Sequence, residues 1–188
     1  MIDKELVKRY IAEFSNKDLS DVKKRELVIS AIKDKAVCIV GPRRAGKTYF
    51  LLSLINDKEK YLYIDFEDPV FYNTEPKDII SILDAYHELY PDKNPIVLLD
   101  EVQNVNDWER IVRYLLNRGL YVFVSGSSSK LLSQEVATHL RGRSITYFLF
   151  TLSFREFLKF KNIDYEGREI YRNYNRIKNG MEEYLKYG

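Results

Sequence analysis

Residues Gly41-Pro-Arg-Arg-Ala-Gly-Lys-Thr48 fit the pattern G-x-x-x-x-G-K-[ST], and no other stretch constrains the chain as strongly. The apolar, β-branched run Ala36-Val-Cys-Ile-Val40 precedes it, and Tyr49-Phe-Leu-Leu-Ser-Leu-Ile55 follows without Gly or Pro. Strand, loop and helix are therefore expected in the order that a phosphate-binding loop requires. Gly41 and Gly46 let the backbone curl so that successive N–H groups face inward, and the helix dipole adds to the pull on a triphosphate. The expected contacts come from Gly41, Pro42, Arg43, Arg44, Ala45, Gly46, Lys47, Thr48 and Tyr49, with Lys47 bridging β- and γ-phosphate oxygens and the Thr48 hydroxyl offered to Mg²⁺.

A second element of the same chemistry lies about fifty residues on. Ile96-Val-Leu-Leu-Asp100-Glu101 is an apolar run ending in adjacent carboxylates, as expected of a buried parallel strand that emerges at the ligand-bearing edge of a sheet. Asp100 would hold Mg²⁺ through its water shell, and Glu101 would orient and deprotonate the attacking water. One strand-helix unit, containing Tyr61-Leu-Tyr-Ile-Asp65 and a helix that Glu75-Pro-Lys-Asp78 opens, with Pro76 in its first turn, and that runs to about Leu89, intervenes. That spacing implies the branch of loop-bearing nucleotide hydrolases with a catalytic glutamate. The expected fold class is α/β: three αβα layers on a parallel five-stranded sheet of order 5-1-4-3-2, with N-terminal helices.

Those helices are expected over Ile2 to Phe14, where Ile2, Leu6, Tyr10, Ile11 and Phe14 recur at helical spacing, and over Asp21 to Lys33. Val105-Asn-Asp-Trp-Glu-Arg is expected to start a helix to about Asn117, with Asn106 or Asp107 as cap and Trp108 packing rather than stacking on a ligand. The strand Leu120 to Val124 leads into Ser125-Gly-Ser-Ser-Ser129, where Ser125 reads either as a sensor of the γ-phosphate or as a turn residue. Lys130 to Leu140 reads as a helix and Ser144 to Leu149 as the fifth strand. Between them, Arg141 and Arg143 read either as a finger reaching a neighbouring subunit's phosphate or as binders of carboxylates on their own surface. Ser153 and Glu156 form a capping box on the helix that follows. The expected organisation is an N-terminal helical segment (1–30), an ATPase-type core (31–160) and a helical tail or linker (161–188).

Composition adds exclusions. Thirty Lys and Arg against 28 Asp and Glu leave a net charge of +2, so a DNA partner has no support from charge. No apolar stretch approaches the roughly 20 residues of a membrane span, and no signal-peptide core is seen, which makes a cytoplasmic location the expectation. The single cysteine, Cys38, reads as a buried hydrophobe, and His87 and His139 as structural. Fifteen Tyr and ten Phe beside many Ile, Lys and Glu suggest an AT-rich or thermophilic source.

Taken in order, Gly41-Pro-Arg43-Arg-Ala-Gly46-Lys47-Thr48, Leu99-Asp100-Glu101-Val102-Gln103 with Trp108, Ser125-Gly126-Ser127-Ser128, Gly142-Arg143 and Leu152-Ser153-Phe154-Arg155-Glu156-Phe157 resemble one family. It is the AAA-like P-loop ATPases widespread in archaea and found in bacteria. The resemblance implies ATP as nucleotide, Mg²⁺ as cofactor, an αβα core, and a C-terminal extension with winged-helix and nuclease-like parts. Such an extension is not among these 188 residues. The expected function is Mg-dependent ATP hydrolysis that drives a conformational change, with an unidentified protein partner or a second copy of the chain. The alternatives are a nucleotide-gated binding module with negligible turnover and, by analogy alone, a DNA-processing motor.

Overall fold

Five short apolar segments, β1 (Ala36–Val40), β2 (Tyr61–Asp65), β3 (Ile96–Asp100), β4 (Val122–Gly126) and β5 (Ser144–Phe148), pair in parallel to form one sheet. Their spatial order is β2-β3-β4-β1-β5, the expected 5-1-4-3-2 read from the other edge. The computed structural model describes residues 2–126, 140 and 142–187. The predicted helix over 130–140, His139, Ser127, Ser128 and Arg141 thus lie, except for Leu140, outside the described residues.

Strand alternation sends the apolar side chains to two faces, and each face is covered. Ala36, Cys38, Leu62, Ile64, Val97, Leu99, Val122 and Val124 pack in one buried cluster with residues of α1 (Lys4–Asn16), α3 (Asp78–Leu89) and α4 (Trp108–Asn117). Val37, Ile39, Tyr61, Tyr63, Leu98 and Phe123 pack in the other with Phe50 and Leu51 of α2 (Lys47–Leu52). This is the three-layer αβα arrangement. Cys38 is buried, and burial pushes its thiol up to about 12, which keeps it an unreactive hydrophobe.

The N-terminal helix keeps most of the expected apolar stripe: Ile11 and Phe14 are buried, Ile2 and Tyr10 pack against the core, and Leu6 alone gives way, to Val7. Asp3 caps α1 by accepting the Glu5 N–H at 2.9 Å, and the buried positions are Val7, Ile11 and Phe14, whereas Leu6 is half exposed. A larger departure concerns residues 21–33, where a second helix was expected and none forms, so the chain has a single N-terminal helix. The local pattern there has period two: Leu27 and Ile29 are partly buried against the sheet while Val28 points to solvent. Tertiary bonds hold the extended path, since Arg25 and the Glu26 N–H both bind Glu156, about 130 residues away. Helix propensity loses to these contacts.

After β5 the chain makes α5 (Phe154–Phe160), a short α6 (Glu169–Arg172) and α7 (Tyr174–Tyr187). The predicted capping box is present: Ser153 Oγ accepts the Glu156 N–H, and Glu156 accepts the Ser153 N–H. Gly180 lets α7 sit close to α5, because a Cβ there would meet Leu158 Cδ2 at 3.3 Å.

Candidate functional site

The C-terminal ends of β1, β3 and β4 lie side by side, and the loop 41–48 rises from the first of them. Gly41 is required by close approach: a Cβ would fall 2.0 Å from the carbonyl oxygen of Leu149, whose N–H bonds to Val40 O at 2.8 Å. Gly46 has φ +84 and Arg44 has φ +65, so the loop turns through left-handed conformations before α2 begins at Lys47. The Ala45 N–H closes the turn onto Pro42 O at 3.2 Å. Among the described residues, the backbone N–H groups of Gly46, Lys47 and Thr48 donate to no protein acceptor. Lys47 is 4% exposed, and its Nζ reaches only the carbonyls of Gly41 (3.3 Å) and Pro42 (3.1 Å). No carboxylate among the described residues lies within ion-pair reach of it. Arg43 and Arg44 are exposed on the loop, Thr48 is half-buried, and Tyr49 is exposed.

Asp100 is the mirror case. It is fully buried at the end of β3, and no Lys or Arg among the described residues pairs with it. Two hydroxyls serve it instead. Ser125 Oγ, buried at the end of β4, donates to Oδ1, and Tyr63 OH, from β2, donates to Oδ2 at 3.0 Å. Burial, reinforced by the Asp100 and Asp65 charges, pushes the Tyr63 phenol far up, so it stays a donor. Each carboxylate oxygen keeps a lone pair for another donor or a cation. Glu101 follows in a left-handed conformation, φ +52, with its N–H donating to Ser125 Oγ at 3.3 Å and its carboxylate accepting from Gln103 Nε2. A non-glycine residue held there costs energy, and such strain collects at functional sites. Asp65 pairs in register with Asp100, and burial first, then the neighbouring charges of Asp100, Glu67 and Asp68, raises its carboxyl.

The arrangement passes two tests of fit to a magnesium-bound polyphosphate. A buried cation and a buried anion, each costly without a counter-charge, sit at one edge of one sheet. The loop also carries N–H donors, at Gly46, Lys47 and Thr48, that no protein acceptor among the described residues uses. Among the described residues no group of three or more His, Cys, Asp or Glu is placed to hold a metal. A cation would thus depend on Asp100, Thr48 and the ligand itself.

Beside the loop opens a cavity of about 490 Å³, lined by Arg44, Gly46, Tyr49, Phe157, Phe160 and Tyr184 among others. Its walls are mainly apolar and aromatic, and Tyr184 is held in place by donating to Leu152 O at 2.7 Å. Of its aromatic residues from α5 and α7, Phe157 stands in the motif Leu152–Phe157, but none was placed beside the loop, because they are joined to it only by the tertiary fold. Arg25, Glu156 and Tyr63 were missed as site neighbours for the same reason, although Glu156 was visible as a cap.

Arg143 stands apart. Its carbonyl accepts the Ala36 N–H, at the start of β1, which puts it at the edge of the sheet opposite the loop. Its Nη1 donates to Asn117 Oδ1 at 2.7 Å and its Nε to Asp34 O at 3.4 Å. Among the described residues no helix is long and apolar enough to cross a membrane.

Comparisons to known proteins identify the family to which the chain belongs. The family model described as an AAA domain matches residues 33–158. An uncharacterized protein of Methanocaldococcus jannaschii is 39% identical over 166 residues, which cover 87% of this chain and 37% of that protein. An uncharacterized protein of Haemophilus influenzae is 33% identical over 160 residues, covering 80% of this chain and 38% of that one. Among solved structures, that of C. elegans PCH-2 aligns with a TM-score of 0.47 and 18% identity, over 83% of this chain and 44% of that chain. The chain spans less than two fifths of the length of these two relatives. With residues 33–158, well over half of the 188, matched by the family model, the chain belongs to the AAA domain family and so to proteins of nucleotide-binding, ATPase-like function.

Proposed function

We propose that this chain binds ATP with Mg²⁺ and hydrolyses the bond between the β- and γ-phosphates. The observation that carries the reading is the pair of buried, oppositely charged groups, Lys47 and Asp100, that find no counter-charge among the described residues at one edge of the sheet. Lys47 and the N–H groups of Gly46, Lys47 and Thr48 hold the β- and γ-phosphate oxygens. The nucleoside lies in the aromatic cavity beside Tyr49, Phe157 and Tyr184. Thr48 and Asp100 would hold Mg²⁺, which would supply positive charge to the triphosphate.

Glu101 acts as general base. It accepts a proton from water as the water oxygen bonds to the γ-phosphorus, while the bond to the β-phosphate oxygen breaks and ADP leaves. Ser125 positions this base, because one hydroxyl ties the carboxylate of Asp100 to the backbone of Glu101. The conformational change that hydrolysis drives, and any protein partner or second copy it acts on, belong to the longer proteins of which relatives of this chain are part.

Calorimetric titration and single-turnover hydrolysis test the reading together. Lys47→Ala weakens Mg-ATP binding, because it deletes the cation of a loop otherwise made of neutral dipoles. Glu101→Gln keeps the affinity within a few-fold and lowers turnover about a hundredfold or more. Equal affinity after Lys47→Ala sinks the phosphate-loop assignment. Tight ATP binding with negligible turnover in the unaltered chain favours the nucleotide-gated binding module instead.

A further inference from the structure

The guanidinium of Arg25 lies beneath the phosphate loop, 7% exposed, with every side of its fork engaged. Nε and Nη2 grip Glu156 at 2.8 and 3.0 Å, a two-point pairing of guanidinium and carboxylate. Nη2 also reaches the carbonyls of Phe150 (2.9 Å) and Thr151 (3.3 Å), just past β5. Nη1 donates to Ala45 O at 2.9 Å, and Ala45 is the residue before Gly46 in the loop. Glu156 completes the knot by accepting the N–H groups of Glu26 and Ser153, both at 2.9 Å.

The Ala45–Gly46 peptide is trans, like every described peptide bond, so its C=O and N–H point in opposite directions. Fixing the Ala45 carbonyl onto Arg25 therefore turns the Gly46 N–H away from Arg25, and that N–H is one of the loop donors with no protein acceptor. Left-handed geometry at Gly46, φ +84, makes the same peptide easy to flip in the absence of a restraint, because glycine has no side chain to oppose the rotation. The geometry points to Arg25 as a positioning residue for phosphate binding: it pins the Ala45–Gly46 peptide so that the loop meets a polyphosphate with its donors already aimed. Glu156 orients Arg25, and α5, which carries Glu156, also carries the Phe157 and Phe160 walls of the cavity. The loop and the aromatic cavity are thereby held to one another through a single buried ion pair. This inference rests on the phosphate-loop reading above and adds to it a residue outside the G-x-x-x-x-G-K-[ST] segment.

The test uses magnesium tripolyphosphate as a probe that has no base, titrated calorimetrically against four proteins: the unaltered chain, Lys47→Ala, Arg25→Lys, and the double variant Arg25→Met with Glu156→Gln. The double variant removes both members of the buried pair, so no lone charge is left inside, and Arg25→Lys keeps a positive charge opposite Glu156 in case the double variant does not fold. The expected result is a native melting transition with tripolyphosphate binding weakened about tenfold or more in the double variant, and a loss of the same sense in Arg25→Lys, whose single ammonium cannot reproduce the fork. A merely structural Arg25 predicts the opposite, since neutralising Glu156 would restore full affinity. Unchanged tripolyphosphate affinity in either folded variant overturns the proposal. Failure of the unaltered chain to bind, or equal binding by Lys47→Ala, overturns the phosphate-loop reading and the proposal with it.

Discussion

Ser125 and Asp100 stand on adjacent strands and share one proton contact: the Ser125 hydroxyl donates to Asp100 Oδ1 with both residues fully shielded from solvent. Ser125 Oγ also accepts the Glu101 N–H, so a serine at the end of β4 sets both carboxylate residues at the end of β3. Replacing it with alanine leaves Asp100 one donor short and frees the Glu101 backbone from its strained, left-handed setting. Ser125→Ala is expected to lower turnover about tenfold while the affinity for Mg-ATP stays within a few-fold, since the lost contacts run to Asp100 and the Glu101 backbone and not to Lys47 or the loop N–H groups. Turnover and affinity that both match the unaltered chain would reduce Ser125 to a turn residue.

How far the site was legible in the sequence follows from the range of each interaction. Loop 41–48 and the pair Asp100-Glu101 are local patterns with fixed chemistry, and the single strand between them was enough to order the sheet. Residues 21–33 were misread because local propensity says helix there, whereas Arg25 and Glu26 are committed to partners about 130 positions away. Tyr63 gave no signal either, because a strand tyrosine reads as core; its hydroxyl meets Asp100 only once β2 lies beside β3. The contacts of the Ser125 hydroxyl with Asp100 and Glu101 likewise arise only once β4 lies beside β3.

Acid stability should depend on Glu156. Burial works to raise its carboxyl, but the Arg25 guanidinium and the N–H groups of Glu26 and Ser153 outweigh it and hold it at about 2, against an ordinary 4.5. A carboxyl depressed on folding adds stability that is fully present above pH 4.5 and is lost as the pH falls from there through about 2. The contribution is on the order of 3 kcal/mol. Urea midpoints measured between neutral pH and pH 2 should fall across this window in the unaltered chain and change much less in the double variant Arg25→Met with Glu156→Gln. Parallel curves for the two proteins would mean that other carboxylates govern acid unfolding.

Gly41→Ala tests the close approach beneath the loop. The added methyl would sit 2.0 Å from the backbone oxygen of Leu149, and backbone, unlike a flexible side chain, cannot swing aside. Either β5 separates from β1 at its upper end, where Leu149 N–H bonds to Val40 O, or the loop lifts. The expected cost exceeds about 2 kcal/mol in urea unfolding, with weaker Mg-ATP binding in whatever remains folded. A variant as stable as the parent would show that this end of β5 shifts freely.

Arg143 decides whether the domain works alone. The transition state for γ-phosphoryl transfer develops more negative charge than Lys47 and a metal ion neutralise, and an added arginine is a common remedy. Arg143 cannot supply it to its own site, because it lies by the start of β1, at the edge of the sheet away from the loop. Its partners there, the Asn117 amide and the Asp34 carbonyl, are neutral, so its charge faces no carboxylate among the described residues and is available to an anion on a neighbouring molecule. If Arg143 acts in trans, activity per subunit rises with protein concentration, and mixing two inactive variants restores part of it. In an equal mixture of Arg143→Ala and Glu101→Gln, a site is competent when its own Glu101 and its neighbour's Arg143 are both intact. Random assembly makes about a quarter of the sites competent, whether the assembly is a pair or a ring. No recovery in a mixture shown by sizing to co-assemble assigns Arg143 to the fold alone, as the residue that ties the start of β5 to the end of α4.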